Sequence, residues 1–125
     1  KALYHAAAVM VSNQIVALAD MGTALLVKCG FSEAAAAEAL SPLLLGNAQS
    51  VAEKGAVNAL TGPIERGDAQ TVSKHLQEIR KFAAESTVGQ DILTAYTALS
   101  KQLIRIAQQK HPHKDYKHLE KELEQ

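Results

Sequence analysis

Apolar residues recur every three to four positions along most of the chain, which is the spacing of one face of an α-helix. The first such segment covers residues 2–29, contains no proline, and ends at Cys29-Gly30, a typical helix stop. At about 1.5 Å per residue, this segment predicts one helix of roughly 42 Å. No segment alternates between apolar and polar residues as a half-buried strand does. The pattern predicts an all-α bundle of five to six helices with a long central first helix.

The later predicted helices begin at residues that commonly cap helix N-termini, such as serine and aspartate. Proline is also typical of the first position of a helix. Five further helices are predicted after the first. A short helix begins at Ser32, and the next three run from Ser41-Pro42 to about Leu60, from Asp68 to about Ala84, and from about Gln90 to Gln109. The last is a short exposed helix in the tail at 114–124.

Two glycines lie inside the third predicted helix, at Gly46 and Gly55. Each costs about 1 kcal/mol relative to alanine in a helix interior. Their spacing indicates a close backbone approach to another helix or, alternatively, a local kink.

The charged residues are unevenly distributed. An apolar first half needs cover from other helices, from a partner chain, or from both. The asymmetry indicates an oligomer, although a central helix in a monomeric bundle explains the same pattern. Of the 26 acidic and basic residues, residues 1–62 contain only seven: Lys1, Asp20, Lys28, Glu33, Glu38, Glu53 and Lys54.

Composition narrows the function classes. With 13 basic and 13 acidic residues, the chain has no net charge to attract nucleic acid or an anionic membrane surface. The single cysteine, Cys29, excludes an internal disulfide framework and predicts a reducing, cytoplasmic location. Polar residues interrupt the first apolar stretch short of about 18 residues, so no membrane span is expected. The interrupting residues are Ser12, Asn13, Gln14 and Asp20.

A polar stripe marks the first helix. At about 100° per residue, Lys1, His5 and Ser12 fall within about 40° of one another. Asn13 lies on the adjoining flank. A lysine and a histidine one turn apart could donate to a substrate carbonyl or act as a general acid. Alternatively, Lys1 lies in solvent and His5 makes one hydrogen bond in the core.

The segment 61–68 breaks the helical pattern and is a second candidate site. Gly62 and Gly67 permit positive φ, and Arg66 could bind a carboxylate or phosphate through two parallel hydrogen bonds. The alternative is a sharp turn with a solvated arginine.

Other catalytic signatures are missing. The sequence has no G-x-G-x-x-G, no Walker loop and no nucleophile elbow, so no cofactor is expected on this chain. Three histidines, His111, His113 and His118, do not form a recognised zinc pattern, and no metal site is expected.

Two signatures frame most of residues 1–80: Lys1–Val9 with Ser12-Asn13, and Ala59–Asp68 with the sequence Ala-Leu-Thr-Gly-Pro-Ile-Glu-Arg-Gly-Asp. They resemble the helical C-terminal domain of a group of Rossmann-like proteins of uncharacterised function. Those proteins resemble the superfamily of 6-phosphogluconate dehydrogenase, ketopantoate reductase and pyrroline-5-carboxylate reductase. The resemblance implies a 6-phosphogluconate dehydrogenase C-terminal-like fold that dimerises and completes a substrate cleft. It also implies that NAD(P) is bound mainly by an N-terminal Rossmann domain.

The same resemblance implies roles for individual residues. Lys1 matches a lysine that contacts substrate in the superfamily and would protonate or polarise a carbonyl or imine. His5 stands where asparagine is usual and would orient that group. Thr61 and Arg66 would hold an acidic group of a small substrate, and Ser12 and Asn13 would line the same cleft.

Three hypotheses about function follow. The first is the substrate-binding and dimerisation domain of an oxidoreductase, inert without its Rossmann domain. Under that hypothesis the chain is a fragment of a longer polypeptide, because it begins at Lys1 without a methionine. The others are a helical interaction module and a catalytically degenerate nucleotide sensor, which His5 in place of asparagine favours.

Overall fold

The computed structural model describes all 125 residues, and it contains helices but no strand. The all-α prediction is confirmed, with seven helical segments rather than five or six. These are α1 (Ala2–Val11), α2 (Asn13–Lys28), α3 (Glu33–Ala59), α4 (Pro63–Arg66), α5 (Ala69–Glu85), α6 (Thr87–Lys110) and α7 (Lys117–Glu124).

The chain divides into two compact units, residues 1–49 and residues 50–125. In the first unit, the helix predicted over 2–29 is interrupted at Ser12, which separates α1 from α2. The Ser12 hydroxyl donates to the Ala8 carbonyl oxygen at 2.5 Å, and such a bond competes with the regular helical ladder. The predicted stop is confirmed, because Gly30 follows α2 with a φ of 101°.

Helix α3 differs from its prediction in the middle. Its start is confirmed, because the Ala35 backbone N–H donates to Ser32 Oγ at 3.1 Å. The predicted break at Ser41-Pro42 is wrong, since the helix continues through Pro42. Ser41 does not cap a new helix but donates its hydroxyl to the Ala37 carbonyl oxygen at 2.8 Å. A single proline removes one helical hydrogen bond, and the flanking turns keep the helix continuous.

The two glycines of α3 differ from each other. Gly55 has φ 81° and ψ 167°, so it kinks the helix at a conformation that suits glycine. Gly46 remains inside the helix. A Cβ added at either position would meet no atom of the chain within 4 Å. The close-approach interpretation is therefore wrong within this chain, and the kink is found at Gly55 alone.

The second unit has a well-defined hydrophobic core. Helices α5 and α6 pack against each other, and α4 and α7 pack against both. Asp68 and Ser86 cap α5 and α6 through side-chain oxygens that accept backbone N–H groups, so the predicted Asp68 cap is confirmed. Because Ser86 is the cap, α6 begins at Thr87, earlier than predicted. The buried core contains Leu60, Ile64, Val72, Leu76, Ile104, Ala107, Tyr116, Leu119 and Leu123.

The C-terminal segment is part of this core. The sequence predicts a short exposed helix at 114–124, and α7 is indeed short. However, Leu119 and Leu123 are buried on its inner face, at 1% and 4% exposure, and Tyr116 is buried before it. The description of the tail as exposed is thus wrong for its apolar residues, which occur every three to four positions and face α5 and α6.

The first unit has almost no core of its own. Ala36 is its only buried residue, and no residue of α1 or α2 is buried. The helices of the first unit therefore provide almost none of the burial predicted for this apolar part of the chain. The large exposed apolar residues of this unit are Leu3, Tyr4, Met10, Val11, Val16, Leu18, Val27, Phe31, Leu43, Leu44 and Leu45.

The stretch Ala2–Lys28 is also long and apolar enough to cross a membrane by length and composition. The mean hydropathy of the stretch stays high despite the polar residues at 12–14 and at Asp20, so the expectation that they exclude a membrane span is not confirmed. Core helices of soluble proteins and signal sequences meet the same criterion, so this property does not assign a location.

Candidate functional site

The candidate residues of the first helix are all exposed. Lys1 precedes α1, and its carbonyl oxygen accepts the backbone N–H of His5 at 3.0 Å. Ser12 lies at the break between α1 and α2, with its Oγ 3.3 Å from Asn13 Oδ1. Neither Lys1 nor His5 is buried, so no desolvation penalty or buried hydrogen bond holds them. The Lys1 and His5 side chains are thus free to meet a ligand or a partner on the surface of the first unit, whereas those of Ser12 and Asn13 already share a hydrogen bond.

The loop at 61–68 belongs to the second unit and contains the one-turn helix α4. Gly62 and Gly67 have φ values of 100° and 71°, which confirms the predicted positive-φ turns at both ends. Thr61 and Arg66 are exposed, and neither side chain donates a hydrogen bond within the chain. Both are thus available to an external acceptor.

The Asp68 side chain caps the N-terminus of α5. Its carboxylate accepts the Thr71 hydroxyl at 2.7 Å and the Thr71 backbone N–H at 3.0 Å. These hydrogen bonds lower the pKa of Asp68 below its ordinary value. Asp68 therefore acts as a helix cap and is not an open acidic group.

A polar network, which we name the Glu65 clasp, joins this loop to the last residue of α6 and to the segment that follows it. Lys110 Nζ lies 2.5 Å from Glu65 Oε2 and donates to the Leu60 carbonyl oxygen at 2.9 Å. His111 Nε2 lies 3.4 Å from the same carboxylate oxygen. The Tyr116 hydroxyl donates to the Glu65 carbonyl oxygen at 2.8 Å. The hydrogen bond from Lys110, with a contribution from His111, lowers the pKa of Glu65.

Sequence reasoning missed the clasp because its contacts join residues 45 to 51 positions apart. The sequence pattern presents the histidines only as candidate metal ligands, whereas His111 contacts a carboxylate. No group of three or more His, Cys, Asp or Glu side chains is placed to hold a metal ion. The only available sequence signal was the position of Lys110 and His111 at the end of the last strongly periodic helix.

A second polar contact lies between α5 and α6. His75 Nδ1 is 2.9 Å from the Tyr96 hydroxyl, and the two rings meet edge to face. Burial raises the pKa of Tyr96, while a hydrogen bond with the buried Ser100 opposes that shift. The contact gives the half-buried Tyr96 hydroxyl a partner at the exposed edge between α5 and α6, and the sequence pattern predicts a functional role for neither residue.

The first unit contains an apolar groove of about 360 Å³ between α2 and α3. Gly22 allows the closest approach, since a Cβ there would lie 3.2 Å from Leu40 Cδ1. No charged residue lines the groove. Its lining residues are Leu18, Ala19, Gly22, Thr23, Ala37, Leu40, Ser41, Leu43 and Leu44.

Comparison with known proteins gives one match. The model of the family described as Domain of unknown function (DUF2520) matches residues 1–103, which include α1 to α5 and most of α6. No curated protein matches the chain. No solved structure matches it either. The matched range contains all six candidate residues, but it ends before Lys110, His111 and Tyr116.

Proposed function

Because the chain belongs to the DUF2520 family, we propose that it is the substrate-binding and dimerisation domain of an NAD(P)-dependent oxidoreductase. The proposal rests on the resemblance of Lys1–Val9 and Ala59–Asp68 to the 6-phosphogluconate dehydrogenase superfamily. In this proposal a Rossmann domain of the same polypeptide binds NAD(P) and supplies the hydride. The helical domain alone is inert, and the intact protein works in the cytoplasm.

The observation that carries the proposal is the uncovered first unit. Soluble monomers rarely expose a contiguous apolar surface larger than a few hundred Å². Here α1 and α2 bury no residue, although the segment they form is strongly apolar. A second copy of the chain and the Rossmann domain would together provide the missing cover, as they do in the superfamily that the sequence resembles.

The proposed chemistry assigns each exposed polar group a role. Lys1 would polarise or protonate the substrate carbonyl or imine, and His5 would orient it. Thr61 and Arg66 would bind an acidic group of the substrate. Their exposure and lack of internal hydrogen-bond partners support these roles.

In the intact polypeptide, we expect Lys1→Ala to lower turnover by at least about 100-fold, because a positioned general acid contributes about that much or more. Binding of NAD(P)H, measured by fluorescence titration, should be unchanged. Lys54→Ala, which removes an exposed lysine from α3, is the matched control and should retain turnover. Undiminished turnover in Lys1→Ala would remove Lys1 from the catalytic group.

We also expect the isolated chain to have twice its monomer mass of 13.4 kDa in light scattering. The double variant Val16→Glu/Leu45→Glu should be monomeric, because it places two charges on the exposed apolar surface of the first unit. The control Val88→Glu/Leu99→Glu changes two exposed apolar residues of α6 and should remain a dimer. A wild-type monomer, or partition of the chain into lipid vesicles, would contradict the dimer.

A helical interaction module is the second candidate, because the same exposed apolar surface supports it. The two candidates differ in the intact polypeptide. An oxidoreductase binds NAD(P)H and turns over, whereas an interaction module assembles without binding the cofactor. Cofactor binding without turnover would favour the degenerate sensor.

A further inference from the structure

We propose that the Glu65 clasp is a latch that sets the conformation of loop 61–68. In this proposal Lys110 and Tyr116 act as positioning residues for that loop. The claim about conformation is independent of the oxidoreductase proposal. Only its consequence for substrate binding rests on the proposed function, since that function places Thr61 and Arg66 against the substrate.

The first argument is that one side chain joins both ends of the loop. The Lys110 ammonium donates to the Leu60 carbonyl oxygen, just before the loop, and contacts the Glu65 carboxylate near its end. The Tyr116 hydroxyl binds the Glu65 backbone at the same end. Because these contacts fix both ends, the backbone between them has few conformations open to it.

The second argument is burial. The Lys110 and Glu65 side chains are 25% and 20% exposed, whereas those of the surface pair Lys81–Glu78 are 70% and 71% exposed. Ion pairs that are partly removed from solvent are screened less by salt than exposed ones. Tyr116 is itself buried in the core. Through Tyr116, the clasp is therefore anchored to the hydrophobic core of the second unit.

The third argument is the distribution of charge in the loop. Its two carboxylates, Glu65 and Asp68, are occupied by Lys110 and Thr71. Arg66, which lies between them in sequence, has no hydrogen-bond partner in the chain, and its charge makes a minor contribution to the lowered pKa of Asp68. Because Lys110 binds the Glu65 carboxylate, that carboxylate does not compete with an external anion for the Arg66 guanidinium. The latch thus keeps Arg66 available to an external anion.

The groups that face the Glu65 carboxylate set the pH range of the latch. They are Lys110 at the end of α6 and His111 after it, with the Tyr116 hydroxyl on the Glu65 backbone. The lysine hydrogen bond lowers the pKa of Glu65 in the folded state. A lowered folded pKa stabilises the latch above the ordinary glutamate pKa, and that stabilisation is lost as the pH falls through the folded value. The latch is closed at neutral pH and opens in acid.

Amide hydrogen exchange on the isolated chain tests the latch without any ligand. The reporting amides are Arg66, Gly67 and Asp68, which donate to carbonyl oxygens within residues 62–64. In Lys110→Met we expect these amides to exchange about tenfold faster at neutral pH, while core amides of α6 stay protected. Lys110→Arg should restore wild-type exchange, because a guanidinium can donate to both acceptors.

Lys101→Met is the matched control, because Lys101 is an exposed lysine of the same helix, α6, and contacts no residue of the loop. Unchanged loop exchange in Lys110→Met, or equal acceleration in Lys101→Met, would overturn the latch. The acid dependence provides a second readout, because protonation of Glu65 removes the ion pair with Lys110 and leaves only the hydrogen bond from Lys110 to the Leu60 carbonyl oxygen. The difference between wild type and Lys110→Met should therefore become smaller in acid, and a difference of undiminished size there also overturns the latch.

The consequence for binding has a separate test in the intact polypeptide. Lys110→Met should raise KM for the acidic substrate with little change in kcat, and Lys110→Arg should restore it. Accelerated exchange with an unchanged KM would leave the latch established and remove Thr61 and Arg66 from the substrate site. The two experiments therefore separate failure of the latch from failure of the proposed function.

Discussion

Gly89→Ala is expected to destabilise the second unit by about 3 kcal/mol, the upper part of the range for overpacking a well-packed site. Gly89 lies in the first turn of α6, where its N–H donates to the Ser86 hydroxyl oxygen at 2.9 Å. A Cβ at this position would lie 2.3 Å from the Phe82 carbonyl oxygen and 2.7 Å from the Ala83 nitrogen. Both are backbone atoms of α5, so the clash is relieved only if the two helices move apart.

Gly46→Ala is the control for this prediction. Gly46 is also inside a helix, but a Cβ there would meet no atom within 4 Å. Alanine in place of glycine in an open helical position should stabilise its helix by about 1 kcal/mol. The two substitutions are therefore expected to change the free energy of unfolding in opposite directions. Urea unfolding followed by circular dichroism measures both, and a neutral Gly89→Ala would show that α5 and α6 are not in close contact near Ser86.

Leu119→Ala is expected to cost about 3 kcal/mol of unfolding free energy, within the range for removing a buried leucine. Leu119 is 1% exposed and belongs to the core cluster that also contains Leu76 and Ile104. Truncation at this position leaves a cavity between α7 and the α5–α6 pair, which cannot fully close. The effect is notable because residue 119 lies beyond the family-matched range of 1–103.

The matched control is Lys121→Ala, two positions further along α7. Lys121 is exposed, so its truncation should change stability by less than about 0.5 kcal/mol. The measurement is the urea midpoint of each variant at constant slope. If Leu119→Ala behaved like Lys121→Ala, α7 would be an appendage, and the second unit would be complete without it.

Both predictions concern the second unit, because only this unit has a core that single substitutions can disturb. The first unit buries one alanine and exposes most of its large apolar side chains. Helices without tertiary contacts are marginally stable in water. In the proposed dimer, the stability of the first unit would come from the interface, and it would rise with protein concentration.

The sequence by itself determined the helical class and most helix ends. The period of apolar residues predicts the helices, because burial of one face imposes that period locally. The stops at Cys29-Gly30 and the caps at Ser32 and Asp68 are local hydrogen-bonding or backbone properties, and the structure confirms them. The positive φ values of Gly62 and Gly67 belong to the same group.

Predictions from single residues were wrong where the flanking turns determined the backbone conformation. The sequence Ser41-Pro42 has the form of a helix start, yet α3 continues through it because flanking turns maintain the helix. Gly46 and Gly55 look equivalent in sequence, but only Gly55 adopts positive φ. In both cases, backbone conformation depends on the turns before and after the residue, and a single-residue preference does not contain that information.

The tertiary structure alone decided the role of the C-terminal segment and of Glu65. Charge density in 114–124 predicts an exposed tail, but Leu119 and Leu123 pack against α5 and α6. The clasp joins Glu65 to residues more than 40 positions away, and no local pattern encodes such a pairing. Helix periods and caps are set by neighbours along the chain, whereas long-range contacts depend on how the helices pack, and that packing determined which polar groups remained free.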